Sequence, residues 1–328
     1  MLSKVELLFY MLLSVFFYSK VYGELCTQCD YKTVHRMLAA DCYHKDIREI
    51  PQCLRTKVEV LELSYNRIRT IKDGDLSRYS NVKILYLSDN MISNIDESAL
   101  SSLTSLISLD LTLNVLDTVP LVIFHLPSLK KLYLSQNGNI NIAEVVNMTK
   151  SITSPLEHID ISYNKFQELP EFGILPTLVT YNISGNNVRK FSLRNIAGLC
   201  NLKILINNHF SAEYEDVCDC WELTKWMQLK GIQFTPLNCP VAEDACTYNF
   251  SEREILDYEE CKIRFEKIVL EKKLITYVAP AVAVFLVALL IILFILFRRR
   301  KRKLLRREKK YGNILPSKSD VENETFTD

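Results

Sequence analysis

Residues able to do chemistry are present in this 328-residue chain but are rarely at distances that chemistry needs. The pair Cys26-x-x-Cys29 has the spacing of half a zinc site, of a redox dithiol, or of two structural disulfide partners. No second half-site follows at zinc spacing, and disulfide bonding is the reading that suits a secreted chain. The histidines at 35, 44, 125, 158 and 209 form no pair at ligand spacing. No nucleophile elbow, phosphate loop or metal motif occurs. The chain is therefore expected to be no enzyme, to hold no metal or cofactor, and to turn over no small-molecule substrate.

The remaining cysteines are grouped. Cys26, Cys29, Cys42 and Cys53 lie near one end, and Cys200, Cys218, Cys220, Cys239, Cys246 and Cys261 lie in a second group. No cysteine falls between Cys53 and Cys200, which points to two stapled ends around a self-supporting centre.

Two apolar segments set the expected compartment. Residues 1–23 carry Lys4, an apolar run from Leu7 to Tyr18, and Val21-Tyr22-Gly23 at the end. That core is too short to span a bilayer and is expected to be a cleaved signal peptide, leaving Glu24 first. Residues 274–297, from Leu274 to Phe297, hold no charge and are long enough to cross a hydrocarbon core. Ten of the thirteen residues from Arg298 to Lys310 are Lys or Arg, against a formal net charge of only +1 for the chain. Basic charge confined to one block argues against nucleic acid as a partner. It is expected to hold the tail in the cytoplasm and to attract anionic lipid. The expected topology is type I at the plasma membrane, with the N-terminus extracellular. The 31 residues after the helix are too short for a kinase or other signalling domain.

Between the cysteine groups one pattern, L-x-x-L-x-L-x-x-N-x-L, recurs. Its copies are Val58, Leu61, Leu63, Asn66, Ile68; Val82, Leu85, Leu87, Asn90, Ile92; and Leu106, Leu109, Leu111, Asn114, Leu116. Leu129, Leu132, Leu134, Asn137 follow, with Asn139 in place of the last apolar residue. Leu156, Ile159, Ile161, Asn164, Phe166 and Leu178, Tyr181, Ile183, Asn186, Val188 complete six. A degenerate seventh has Leu202 and Leu205, with Phe210 where the asparagine is expected. The asparagines are 24, 24, 23, 27 and 22 residues apart.

These repeats resemble the extracellular leucine-rich-repeat family over about Cys26 to Cys261. Cys218-Asp219-Cys220-Trp221-Glu222-Leu223 with Trp226 resembles that family's C-terminal cap, and the stretch Ala40 to Pro51 the end of its N-terminal cap. The resemblance implies an α/β leucine-rich-repeat solenoid with a parallel sheet on its concave face, disulfide-capped ends and one transmembrane helix. The implied layout is signal peptide 1–23, N-terminal cap 24–57, repeats 58–210, C-terminal cap 211–265, juxtamembrane linker 266–273, transmembrane helix 274–297 and basic tail 298–328. It also implies the pairs Cys218–Cys239 and Cys220–Cys261, with Cys200 and Cys246 as a further pair. Pairing within Cys26, Cys29, Cys42 and Cys53 stays open.

In a strand carrying L-x-L the two leucines face inward and the middle residue faces outward. That outward column reads Glu62, Tyr86, Asp110, Tyr133, Asp160, Asn182, Ile206, flanked by Ile84, Lys131, His158, Tyr65, Asp89, Leu113 and Tyr163. Acids interleaved with tyrosines suit a protein partner with basic groups. The expected contact residues are Glu62, Tyr65, Tyr86, Asp110, Tyr133 and Asp160. Sequons at Asn147, Asn182 and Asn249 are expected to carry glycans, whereas Asn323 is expected to be cytosolic and bare. The function expected is a cell-surface receptor, co-receptor or adhesion protein that binds an extracellular protein or a neighbouring membrane protein. An accessory subunit of an ion channel, or a Toll-like co-receptor or decoy without a signalling domain, would share this layout.

Overall fold

After an opening hairpin of five-residue strands, the strands of this chain are two or three residues long and are stable only because every coil lies on the next. The computed structural model describes residues 28–138, 140–142, 146 and 151–312. It divides into two compact units, Met1–Phe265 and Glu266–Asp328. The first begins with a hairpin, β1 (Asp30–Val34) and β2 (Met37–Asp41), whose two-residue turn, His35 and Arg36, has positive φ at both positions. Such a turn matches the twist of paired strands. Then come β3 (Val60–Glu62), β4 (Thr70–Ile71), β5 (Ile84–Tyr86), β6 (Asn94–Ile95), β7 (Ser108–Asp110), β8 (Lys131–Tyr133), β9 (His158–Asp160), β10 (Thr180–Asn182), β11 (Asn187–Val188), β12 (Ile204–Ile206) and β13 (Ser211–Ala212). The main sheet runs β1-β2-β3-β5-β7-β8-β9-β10-β12, antiparallel only at its first pair. β4-β6 and β11-β13 pair as two separate small parallel ribbons.

The repeat positions form one continuous core. Leu61, Leu63, Leu85, Leu87, Leu109, Leu111, Leu134, Ile159, Ile161 and Ile183 are wholly buried. Where the fourth repeat has Asn139, which lies outside the described residues, Ile140 and Ile142 are the buried residues that follow. Tyr181 takes a leucine position, its ring against Phe172 with centroids 5.8 Å apart. Its buried hydroxyl has no partner among the described residues.

The asparagines turn this stack into a ladder. Asn114 donates to Leu111 O in its own coil and to Leu87 O in the coil before, both at 3.0 Å, and its Oδ1 accepts from Ile92 N at 3.0 Å. Asn66, Asn90, Asn137, Asn164 and Asn186 repeat the pattern of donating to their own and the preceding coil. The seventh coil keeps an asparagine three places earlier than Phe210. Asn207, at what reads as an apolar position, donates to Thr235 O at 2.8 Å and accepts from Thr235 N at 2.9 Å. It ties the last coil to the cap.

That cap is built on α1 (Asp219–Leu229), which buries Leu223, Trp226 and Met227. Trp226 in turn meets Phe250 and Tyr258, the latter on α2 (Glu252–Lys273). The disulfides here differ from all three expected pairs. Cys218 joins Cys246, Cys220 joins Cys239, and Cys200 joins Cys261. Cys218 and Cys220 are two residues apart at the start of a helix, so they point to different sides and reach different loops. Cys261 is carried on α2 with its Cα 5.7 Å from that of Cys200, an ordinary bridging distance. At the other end Cys29 joins Cys42, and Cys53 is also disulfide-bonded. Cys26 and the segment 1–23 lie outside the described residues.

In the second unit, Leu274–Val278 form a π-helical turn and α3 runs over Ala279–Gly312. The wide turn ends at Val278, two residues before Pro280, which has no N–H to give to a regular helix. Among the described residues this is one helix long and apolar enough to cross a membrane.

The ladder carries a measurable expectation. Asn114→Ala removes one of the two asparagine bonds that Leu87 O and Leu111 O each accept and leaves Ile92 N without its acceptor in the core, and should lower the stability of the full-length protein by about 2 kcal/mol in urea unfolding followed by circular dichroism. Asn94→Ala, at an exposed position, should change it by less than about 0.5 kcal/mol. An unchanged midpoint for Asn114→Ala would contradict the role given to the ladder.

Candidate functional site

The outward residues of the sheet stand in strict register. Asp41 pairs with Glu62, Glu62 with Tyr86, Tyr86 with Asp110, Asp110 with Tyr133, Tyr133 with Asp160, Asp160 with Asn182 and Asn182 with Ile206. At a strand spacing of about 4.8 Å the column runs some 34 Å across the concave face. Five of the six expected contact residues, Glu62, Tyr86, Asp110, Tyr133 and Asp160, belong to it, all half-buried. Tyr65 does not. It follows the strand, beside Asn66, with φ of 58°.

Tyr65 shares its position with Asp89, Leu113, Gln136 and Tyr163, all between 50° and 58° in φ. The left-handed region is unfavourable for residues with a Cβ and disfavours bulky ones most. Gly185 is the sixth in this row, at 64°. A Cβ there would lie 2.2 Å from Cδ1 of Tyr163, so the Tyr163 ring occupies the space over Gly185. At the first end, the Tyr65 ring packs against Tyr43, centroids 5.1 Å apart.

Local hydrogen bonds fix the acids. Glu62 accepts from Ser64 N at 2.8 Å, Asp110 from Thr112 N at 2.9 Å, and Asp160 from Ser162 N at 2.9 Å. None of the three has an ion pair among the described residues. Burial pushes the Glu62 carboxyl above its ordinary range, with the charges of Asp41 and Asp110 adding to the shift and the bonds from Ser64 opposing it. Burial raises the Tyr86 and Tyr133 phenols as well, reinforced by the acids on either side. His158 stacks near Tyr133 at 4.9 Å, and burial lowers its imidazole despite Asp160 nearby. The face therefore holds fixed negative charge between neutral aromatic rings.

Sequence reasoning missed Asp41, which extends the column by one strand and pairs with Lys32 at 2.6 Å. The signal was there: Ala40-Asp41-Cys42 repeats the inward-outward-inward order, with Ala40 and Cys42 fully buried. Of the sequons, Asn147 lies outside the described residues, and Asn249 is exposed. Asn182 is half-buried in the column and donates to Asp160 Oδ2 at 3.0 Å. No group of three or more acidic, His or Cys side chains able to hold a metal occurs among the described residues.

Residues 80–138 match the family model described as "Leucine rich repeat". With the coil-by-coil register and the asparagine ladder, that decides the class. The chain is a leucine-rich-repeat protein. Two curated relatives are both called Toll-like receptor 3. The one from Boselaphus tragocamelus is 37% identical over 60 residues, covering 18% of this chain and 7% of the receptor. The one from Bos taurus is 36% identical over 58 residues, covering 18% and 6%. This leucine-rich-repeat protein thus matches only a small part of the length of either. Among solved structures, human 5T4 (Wnt-activated inhibitory factor 1, trophoblast glycoprotein) has a TM-score of 0.46 at 22% identity, covering 66% of this chain and 92% of that one.

The raised carboxyl of Glu62 gives a pH-dependent expectation. A folded-state value above the unfolded one means that stability falls as pH rises through the window above the ordinary carboxylate range. Glu62→Gln keeps the acceptor for Ser64 N and removes the charge. Its unfolding midpoint should exceed the parent's at pH 7, and the difference should vanish below about pH 4, checked by thermal unfolding across pH. A Gln variant less stable at pH 7 would show that the charge is compensated in a way this geometry lacks.

Proposed function

We propose that this leucine-rich-repeat protein is a cell-surface binding protein, a receptor, co-receptor or adhesion molecule, that holds a protein partner on its concave face. The observation that carries this reading is the registered alternation of Glu62, Tyr86, Asp110, Tyr133 and Asp160. Half-buried tyrosines offer apolar area with a polar tip, and acids without an ion pair offer charge to a basic partner. Tyr65 adds an exposed ring at the edge of the same face.

The rest of the reading follows the layout. Residues 1–23 are a signal peptide, residues 24–57 and 211–265 the caps of the repeats, and residues 274–297 the membrane span after the linker 266–273. The basic block in the tail 298–328 keeps that tail cytoplasmic at the plasma membrane and meets anionic lipid. Asn147, Asn182 and Asn249 are then exposed to the glycosylation machinery. The relatives' name, Toll-like receptor 3, supports a receptor role for a related stretch of repeats. The excess of basic charge from Arg298 to Lys310 favours one second reading, an accessory subunit whose tail acts on a channel's voltage sensor.

Truncating buried tyrosine anchors at a protein interface commonly costs about 2 kcal/mol or more. Tyr86→Ala combined with Tyr133→Ala should therefore weaken partner binding by at least about tenfold in a cell-binding titration with equal surface expression. Unchanged affinity in a folded double variant would remove the concave face as the binding site.

A further inference from the structure

The face has a second period, two coils long, that neither the repeats nor the fold requires. In β3, β7 and β9 the column residue is an acid, and the left-handed residue three places on is large and apolar: Glu62 with Tyr65, Asp110 with Leu113, Asp160 with Tyr163. In β5 and β8, between them, the order inverts: Tyr86 with Asp89 and Tyr133 with Gln136. Tyr65, Leu113 and Tyr163 are exposed by 48%, 44% and 46%, although burial is the usual fate of such side chains and the left-handed backbone disfavours them. Bulky residues kept in a strained conformation and displayed to solvent point to a contact made there. Lys32 is taken up by Asp41 at the first end of the column, and Lys131 in β8 stands in the neighbouring column beside His158, out of phase with the acids. The pattern stops at β10, where Asn182 and Gly185 take the two positions.

Two coils at strand spacing amount to about 9.5 Å, and the three acids span about 19 Å. A partner that meets all three needs like groups on one face at that repeat. An extended β-strand brings every third side chain to the opposite face, so its middle group would point away from Asp110. An α-helix returns to the same face after seven residues, at about 10.5 Å, and is about 2 Å too long over two periods. A polyproline II helix returns every third residue at about 9.3 Å, and drifts by less than about 1 Å over the same length. Its ring-bearing residues also suit flat aromatic surfaces such as Tyr86 and Tyr133, which lie between the acids.

We propose that the face from Glu62 to Tyr163 is a groove for a polyproline II segment with a basic residue at every third position. This rests on the concave-face reading above and narrows it. The cations seat on Glu62, Asp110 and Asp160, the helix passes over Tyr86 and Tyr133 between them, and one of the two proline rows, turned about 120° to the side, packs against Tyr65, Leu113 and Tyr163.

The test uses full-length protein in detergent micelles and three fluorescent peptides of equal charge and length. The first repeats Lys-Pro-Pro over about 15 residues. The second has the same composition with its lysines in one block, and the third is a helix with lysines every seven residues. Binding read by anisotropy should favour the first by at least about tenfold over each of the others. Asp110→Asn should weaken that binding by about fivefold, and Leu113→Ser should do so as well while leaving the salt dependence intact. Equal binding of the block peptide would reduce the site to bulk charge, and preference for the helix would replace the proposed partner. If no peptide binds while Tyr86→Ala with Tyr133→Ala still abolishes cell binding, the concave-face reading stands and the polyproline II groove falls.

Discussion

Every coil of this protein depends on the coil before it for the satisfaction of its buried backbone. The asparagine side chains make that dependence concrete, since each donates to two carbonyls one coil apart and holds N–H groups that no strand can reach. Leaving such groups unpaired in a core costs more than most single packing contacts return. The ladder therefore fixes how far each coil can slide along its neighbour. A slip of one residue would exchange the inward and outward sides of every strand. Register is thus the means by which a repeated hydrogen bond becomes an ordered surface.

That surface is consequently more regular than its composition. Glu62, Tyr86, Asp110, Tyr133 and Asp160 sit far apart in sequence, yet the parallel pairing aligns them within one column. The caps protect this order by covering the ends. At one end the hairpin β1–β2 adds strands, and at the other Gln233 bridges the edge of β12 at Ile204 while Leu223, Trp226 and Met227 lie over the core. With the edges of the sheet occupied, its open face is the part left to meet a partner.

Much of this was legible because periodicity survives substitution. The leucine positions, the asparagines and the outward column follow from an alternation that the sequence repeats. What was not legible depends on three dimensions. The cysteine pairing came out differently because α2 returns Cys261 to Cys200, a long-range placement that spacing cannot encode. Asn207 was overlooked because the last coil shifts its asparagine to an apolar position, where the partner is the cap rather than another repeat. Tyr65 was placed beside the column, but its left-handed backbone is visible only in the folded coil. The two-coil alternation likewise needs both rows in register before it can be seen.

Proximity in the bound state distinguishes the concave face from the rest of the surface as the place where the partner lies. A photoreactive amino acid can replace Ser108, half-buried in the column beside Asp110, or Ser101, exposed in the turn that precedes β7. On illumination of cells presenting the full-length protein to its partner, binding on the concave face should give a crosslinked product from position 108 and none from position 101. Crosslinking from position 101 with none from position 108 would contradict it.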